Sequence, residues 1–200
     1  HNYVGIYPLS ILPNTPFGDP DYIDKYKIKY TKTKALYYHI TETEIDESEE
    51  EDIAIETATM TFDELLQAHE FRWFIMITHF FGLTQFISRF VKNHSNISYE
   101  VFYTKLHEQF SKNTNSVLGK EIADFKVALK DVFTNNRYWG WYLEDNRTWE
   151  FDEGSIVKIW KQVDKFYDEI KQFLLDNNFV ENEKILDTAL YFQKHAIINP

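Results

Sequence analysis

From Thr61 onward, apolar residues return every three or four positions, the spacing of one face of an α-helix. Leu65, Leu66, His69, Trp73, Met76, Phe80, Leu83, Phe86, Ile87 and Phe90 predict one long helix over about 62–93. Thr61 and Glu64 form a capping box at its start, and Gly82 is its weak point. Ser98 caps a second helix through 101–110. A third covers about 116–133, with Ile122, Phe125, Leu129, Val132 and Phe133 on one face. A fourth, over about 155–175, carries Ile159, Val163, Phe166, Ile170, Phe173 and Leu174, and a fifth covers about 183–196. Residues 135–154 (NNRYWGWYLEDNRTWEFDEG) break this rhythm and read as a loop with three Trp, two Tyr and a Phe.

The first 60 residues follow a different pattern. Residues 3–12 (YVGIYPLSIL) are β-branched and aromatic and predict a strand, which Pro8 makes short, kinked or peripheral because proline cannot donate to a ladder. Pro13, Pro16, Gly18 and Pro20 then impose a structured loop. Residues 22–34 interleave Lys25, Lys27, Lys29, Lys32 and Lys34 with Tyr22, Tyr26 and Tyr30. That mixture fits a half-buried extended segment whose tyrosines pack inward, with a single-strand nucleic-acid surface as the alternative. Residues 36–40 and 53–60 predict short strands. The intervening 42–52 hold eight acidic residues in eleven and predict a mobile acidic loop, with casual divalent-cation binding as a minor alternative.

The expected fold is therefore mainly α: a multi-helix bundle over 61–200, preceded over 1–60 by a few short strands and an acidic loop, without internal repeats. The 17 Phe, 13 Tyr and 5 Trp among 200 residues supply core material and exclude disorder throughout. A net charge of −11 opposes a general positive field for duplex nucleic acid, so nucleic acid is not an expected partner. The apolar run 73–88 spans only 16 residues between Arg72 and Arg89, short of the roughly 20 a spanning helix needs, and predicts a buried core helix rather than a membrane segment. The expected location is cytoplasmic. The chain opens His1-Asn2-Tyr3-Val4-Gly5, without initiator Met or signal core, and reads as a piece of a longer protein.

Self-contained catalytic motifs are absent from the sequence. With no cysteine, the chain supplies no disulfide, thiol nucleophile or thiolate for zinc or iron–sulfur clusters. The six glycines form neither a dinucleotide fingerprint nor a phosphate loop, and no histidine sits in a helical metal motif. The adjacent pairs His69-Glu70 and His107-Glu108 point to different helix faces and read as structural, and Asp63-Glu64 suits the helix start. No catalytic residue and no metal ligand is predicted. The aromatic loop is the best unassigned surface: it suits either a ligand or a lid on its own domain.

Ile6-Tyr7-Pro8-Leu9-Ser10-Ile11-Leu12-Pro13-Asn14-Thr15-Pro16, followed by Asp19-Pro20-Asp21-Tyr22 and Lys25-Tyr26-Lys27-Ile28, resembles the end of the barrel in radical S-adenosylmethionine (SAM) enzymes of the B12-binding class. Thr59-Met60-Thr61 with Glu64, residues 164–170 (DKFYDEI) and residues 190–194 (LYFQK) extend the resemblance over nearly the whole chain. It implies a C-terminal region that completes a partial barrel and shapes substrate access without being catalytic alone. The full-length protein would then be a radical SAM enzyme, with a cobalamin-dependent methyltransferase as one form. Its N-terminal domains, the partners of this region, would carry a [4Fe–4S] cluster, SAM and, as an option, cobalamin; this region would bind no cofactor. The substrate would be a small molecule of unknown identity. The resemblance places Asn14 and Thr15 at the C-terminal end of the last barrel strand, where active sites of such barrels lie. Trp139, Trp141 and Tyr142 are further candidates, for covering substrate. The alternative is a helical interaction module without enzymatic activity, docking a protein through the aromatic loop or the acidic segment.

Overall fold

The computed structural model describes residues 7–35, 39–41, 49–144 and 146–198. Among these, eight α-helices dominate and four short strands form two antiparallel pairs, which is the mainly α architecture read from the sequence. The chain divides into two compact units. One comprises the residues up to Arg72 with Phe125–Gly154, the other Trp73–Asp124 with the residues from Ser155.

In the first unit, helix α1 (Pro20–Tyr26) precedes strands β1 (Lys29–Lys34) and β2 (Glu50–Glu56). The segment 22–34 is thus not one extended stretch. The Asp19 carboxylate accepts the Asp21 N–H at 2.8 Å and Pro20 occupies the first turn, so a helix starts there; Lys27, left-handed at φ 53°, stops it. Nor do all its tyrosines turn inward: Tyr26 and Tyr30 are exposed.

β1 and β2 pair antiparallel, Thr33 opposite Glu51 and Lys32 opposite Asp52. The strand expected over 53–60 begins earlier, because Glu50, Glu51 and Asp52 join the ladder facing the lysine strand. Lys32 meets Asp52 at 3.2 Å and Lys29 meets Glu56 at 2.6 Å, so opposite charges stand directly across the pair. The rest of the acidic segment, 42–48, lies outside the described residues, as do 1–6 and 36–38.

Within the first expected strand, Leu9, Ser10 and Ile11 join this sheet. Ser10 bridges Ile53, the Ile11 N–H donates to the Asp52 carbonyl at 2.7 Å, and the Ala54 N–H donates to the Leu9 carbonyl at 2.9 Å. β2 is thereby flanked on both sides. Because side chains alternate along a strand, Ile11 and Ala54 face one way, packing with Ile28, Tyr22 and Ile23, while Ser10, Thr33, Glu51 and Ile53 face the other. Of the segment 36–40, residues His39 and Ile40 exchange backbone hydrogen bonds with Thr148 at 2.8 and 3.0 Å rather than forming a named strand.

Helix α2 (Phe62–Ile75) opens with the expected box: Glu64 accepts the Thr61 N–H at 2.8 Å and the Thr61 hydroxyl accepts the Glu64 N–H at 3.3 Å. The single helix expected over 62–93 is broken. Five residues, Met76–Phe80, widen into a π turn, the chain bends by 81°, and α3 (Gln85–Ser95) follows. Gly82 sits in the break at φ 91°, which only glycine adopts without strain.

The second unit continues with α4 (Tyr99–Ser111), the first half of α5 (Val117–Asn135), most of α6 (Phe151–Trp160), then α7 (Val163–Asp176) and α8 (Glu183–Ile198). Ser98 caps α4 as expected, accepting the Val101 N–H at 3.2 Å. The helix expected over 155–175 is two, interrupted at Lys161-Gln162. Phe74, Ile77, Leu83, Ile87, Leu106, Phe166 and Phe173 are fully buried, so the apolar run is core. Among the described residues no single helix is long and apolar enough to cross a membrane.

Candidate functional site

The face of the small sheet that carries Ser10, Thr33, Glu51 and Ile53 borders a cleft of about 140 Å³, completed by Tyr7, Pro8, Lys34 and Trp139. Two features give it chemical character. The Ser10 hydroxyl donates to the Glu51 carboxylate at 3.1 Å. Thr33 is 1% exposed, yet its hydroxyl has no hydrogen-bond partner among the described residues. Buried hydroxyls are nearly always bonded, so this one is an exception.

Trp139 closes the cleft from the aromatic loop. Its ring stands edge-on to Phe133 at 5.0 Å and tilted against His69 at 6.2 Å. The same unit holds two buried carboxylates, each paired with a more exposed cation. Arg72 meets Asp152 at 2.9 Å, and Glu70 meets Lys126 at 3.1 Å. Burial pushes the Asp152 carboxyl up to about 6, against the pull of the Arg72 guanidinium. Burial, helped by Arg72, pushes His69 down to about 4, so its imidazole is neutral at pH 7. His69 and Glu70, adjacent in sequence, indeed point apart, one to aromatic rings and one to a lysine.

The remaining loop candidates lie on a short hairpin, β3 (Trp141–Tyr142) with β4 (Thr148–Trp149). The Trp141 indole N–H donates to the Phe151 carbonyl at 3.1 Å, and its ring packs so closely on Gly154 that a Cβ there would lie 2.6 Å from it. Trp139 and Trp141 are buried, at 7% and 9% exposure, whereas Tyr142 is 44% exposed. Asn14 and Thr15 lie outside the cleft lining, in the turn that follows the first extended segment. Asn14 takes the left-handed conformation at φ 62° and the Thr15 hydroxyl donates to the Leu12 carbonyl at 2.8 Å, so local turn geometry uses both.

Of the residues that line this cleft, sequence reasoning singled out Trp139 and not Thr33, Ser10 or Glu51. The alternation of Thr31 and Thr33 was visible, but the register that sets Thr33 beside Glu51 and Ser10 is a long-range property. Among the described residues no three His, Asp or Glu side chains converge as a metal site, and the chain has no cysteine. Its residues therefore do not fit an iron–sulfur cluster.

No protein-family model matches the sequence. Two characterised proteins do, each over all of this chain. The cobalamin-dependent radical SAM methyltransferase TokK of Streptomyces tokunonensis is 24% identical over 219 aligned positions. The 2-(S-pantetheinyl)-carbapenam-3-carboxylate methyltransferase of Streptantibioticus cattleyicolor is also 24% identical over 219. The chain spans 31% of the length of each. Over its whole length the chain is thus similar to a part of cobalamin-dependent radical SAM methyltransferases, in keeping with the C-terminal region of a B12-binding-type radical SAM enzyme that its motifs resemble.

Proposed function

We propose that this chain is the C-terminal accessory region of a cobalamin-dependent radical SAM methyltransferase, where it completes the barrel wall and shapes access for a small-molecule substrate. The full-chain similarity to two such methyltransferases carries the reading. The cluster, SAM and cobalamin would be held by the N-terminal domains of the same polypeptide, since this chain offers no thiolate. Asn14 and Thr15, at the turn after the first extended segment, would face the substrate. Trp139 and Tyr142 would cover it from the loop, with Trp141 holding the hairpin in place. An interaction module that docks through Trp139 and Trp141 has less to offer a partner, because both rings are already buried.

The test is SAM consumption under reducing, oxygen-free conditions by this 200-residue chain and by the full polypeptide. The expected result is turnover by the full polypeptide only. Turnover by the chain alone, or a full polypeptide that leaves SAM intact, would overturn the reading.

A further inference from the structure

A groove of about 590 Å³ runs between α3 and α8 within the second unit. Phe86 and Phe90 come from one face of α3, and Ile185, Ala189 and Phe192 from one face of α8, each set at helical spacing. Phe192 stands edge-on to Phe86 at 5.3 Å, and with Phe192 59% and Ile185 41% exposed the groove is open to solvent. It is also held from below, because the buried Gln193 side chain on α8 accepts the Phe86 and Ile87 N–H groups of α3 at 2.8 and 3.1 Å. The polar part of the lining is small. The Thr188 hydroxyl donates back to the Lys184 carbonyl at 2.9 Å, which leaves Lys184 as the charged member. Among the described residues the Lys184 ammonium makes no ion pair. The acids of α8 bear on its other flank: Asp187 meets Lys171 of α7 at 2.7 Å, and Glu183 acts on the same lysine. Helix α3 carries Arg89 and Lys92 and no Asp or Glu. In a chain of net charge −11, this is an apolar groove with a cation and no acid on its lining.

We propose that this groove binds a small aliphatic carboxylate, its chain lying between the two helices and its head on Lys184. The chain would cover Phe86, Phe90, Ile185 and Phe192 and remove their apolar surface from water. The head would accept from the Lys184 ammonium in a charge-assisted hydrogen bond. An alkyl ammonium would meet the lysine as a like charge, and an alkyl alcohol would make the same apolar contacts without the ion pair. The volume lies within the range of small-molecule sites. This site stands apart from the methyltransferase reading, because it rests on the lining of the groove and not on the similarity.

The experiment is a methyl NMR titration of the full polypeptide with octanoate, octanol and octylammonium, each below micelle formation and at equal ionic strength, followed at the Ile185 and Ala189 methyl groups. The expected result is a saturable shift with octanoate, a weaker one with octanol and none with octylammonium. Lys184→Gln, at an exposed position, should weaken octanoate by about threefold or more and bring it level with octanol. Ala189→Trp should fill the groove and abolish the response at Ile185, and Lys184→Gln keeps the test independent of whether that variant folds. No saturable shift with octanoate, as when another part of the polypeptide or a partner protein covers the groove, would overturn the proposal. So would equal responses to all three probes, or octanoate binding unaltered in Lys184→Gln.

Discussion

Single side chains in the first unit set opposing responses to pH. His69 is held at about 4 when folded against 6.5 when free, so between these values the unfolded chain binds the extra proton and stability rises with pH. Asp152 is held at about 6 against 3.8, so there the folded chain binds the extra proton and its contribution falls as pH rises. The two partly cancel between about pH 4 and 6. Replacing His69→Phe should remove the rising contribution, so that melting temperature falls with pH more steeply, or rises less, over that interval than in the parent. Superimposable parent and variant profiles would contradict the burial of His69. Asp152→Asn should lower stability by roughly 1–3 kcal/mol in a denaturant melt at pH 7, because Arg72 loses its charged hydrogen-bond partner; no loss would show that Arg72 finds water instead. The burial of His69 was readable from its place in the apolar stripe, but its neighbours were not, because Arg72, Trp139 and Phe133 come from three segments.

At the scale of elements, the break between α2 and α3 shows what periodicity leaves out. The apolar spacing continues through Gly82 without interruption, so the pattern alone predicts one helix. Contacts from distant helices stabilise two. The Gln193 side chain, fully buried on α8, accepts the Phe86 and Ile87 N–H groups at 2.8 and 3.1 Å and donates to the Gly82 carbonyl at 2.8 Å. The Tyr167 hydroxyl on α7 donates to the Leu83 carbonyl at 3.0 Å. Together they satisfy backbone groups that a helix break would otherwise orphan. Gln193→Leu should therefore cost roughly 2–4 kcal/mol in a denaturant melt, by leaving several buried groups unpaired. A loss below 0.5 kcal/mol would show that the break holds itself. Gly82→Ala, forced to φ 91°, should cost about 1 kcal/mol or more in the same assay; no loss would mean that the turn relaxes. The helices at 99–111, 117–135 and 183–198 were legible because cap, stripe and length agreed. The short helix at Pro20–Tyr26 was obscured by its lysine and tyrosine alternation, although Asp19-Pro20 carried the start signal.

For the molecule as a whole, a net charge of −11 opposes a general positive field. The proposed place of the chain within a cobalamin-dependent radical SAM methyltransferase has a direct measurement. Iron, acid-labile sulfide and cobalt should be determined per chain in the native, full polypeptide purified without oxygen. The account predicts about four irons with matching sulfide, and cobalt where cobalamin is retained. A polypeptide without iron and sulfide, active in whatever it does, would contradict it.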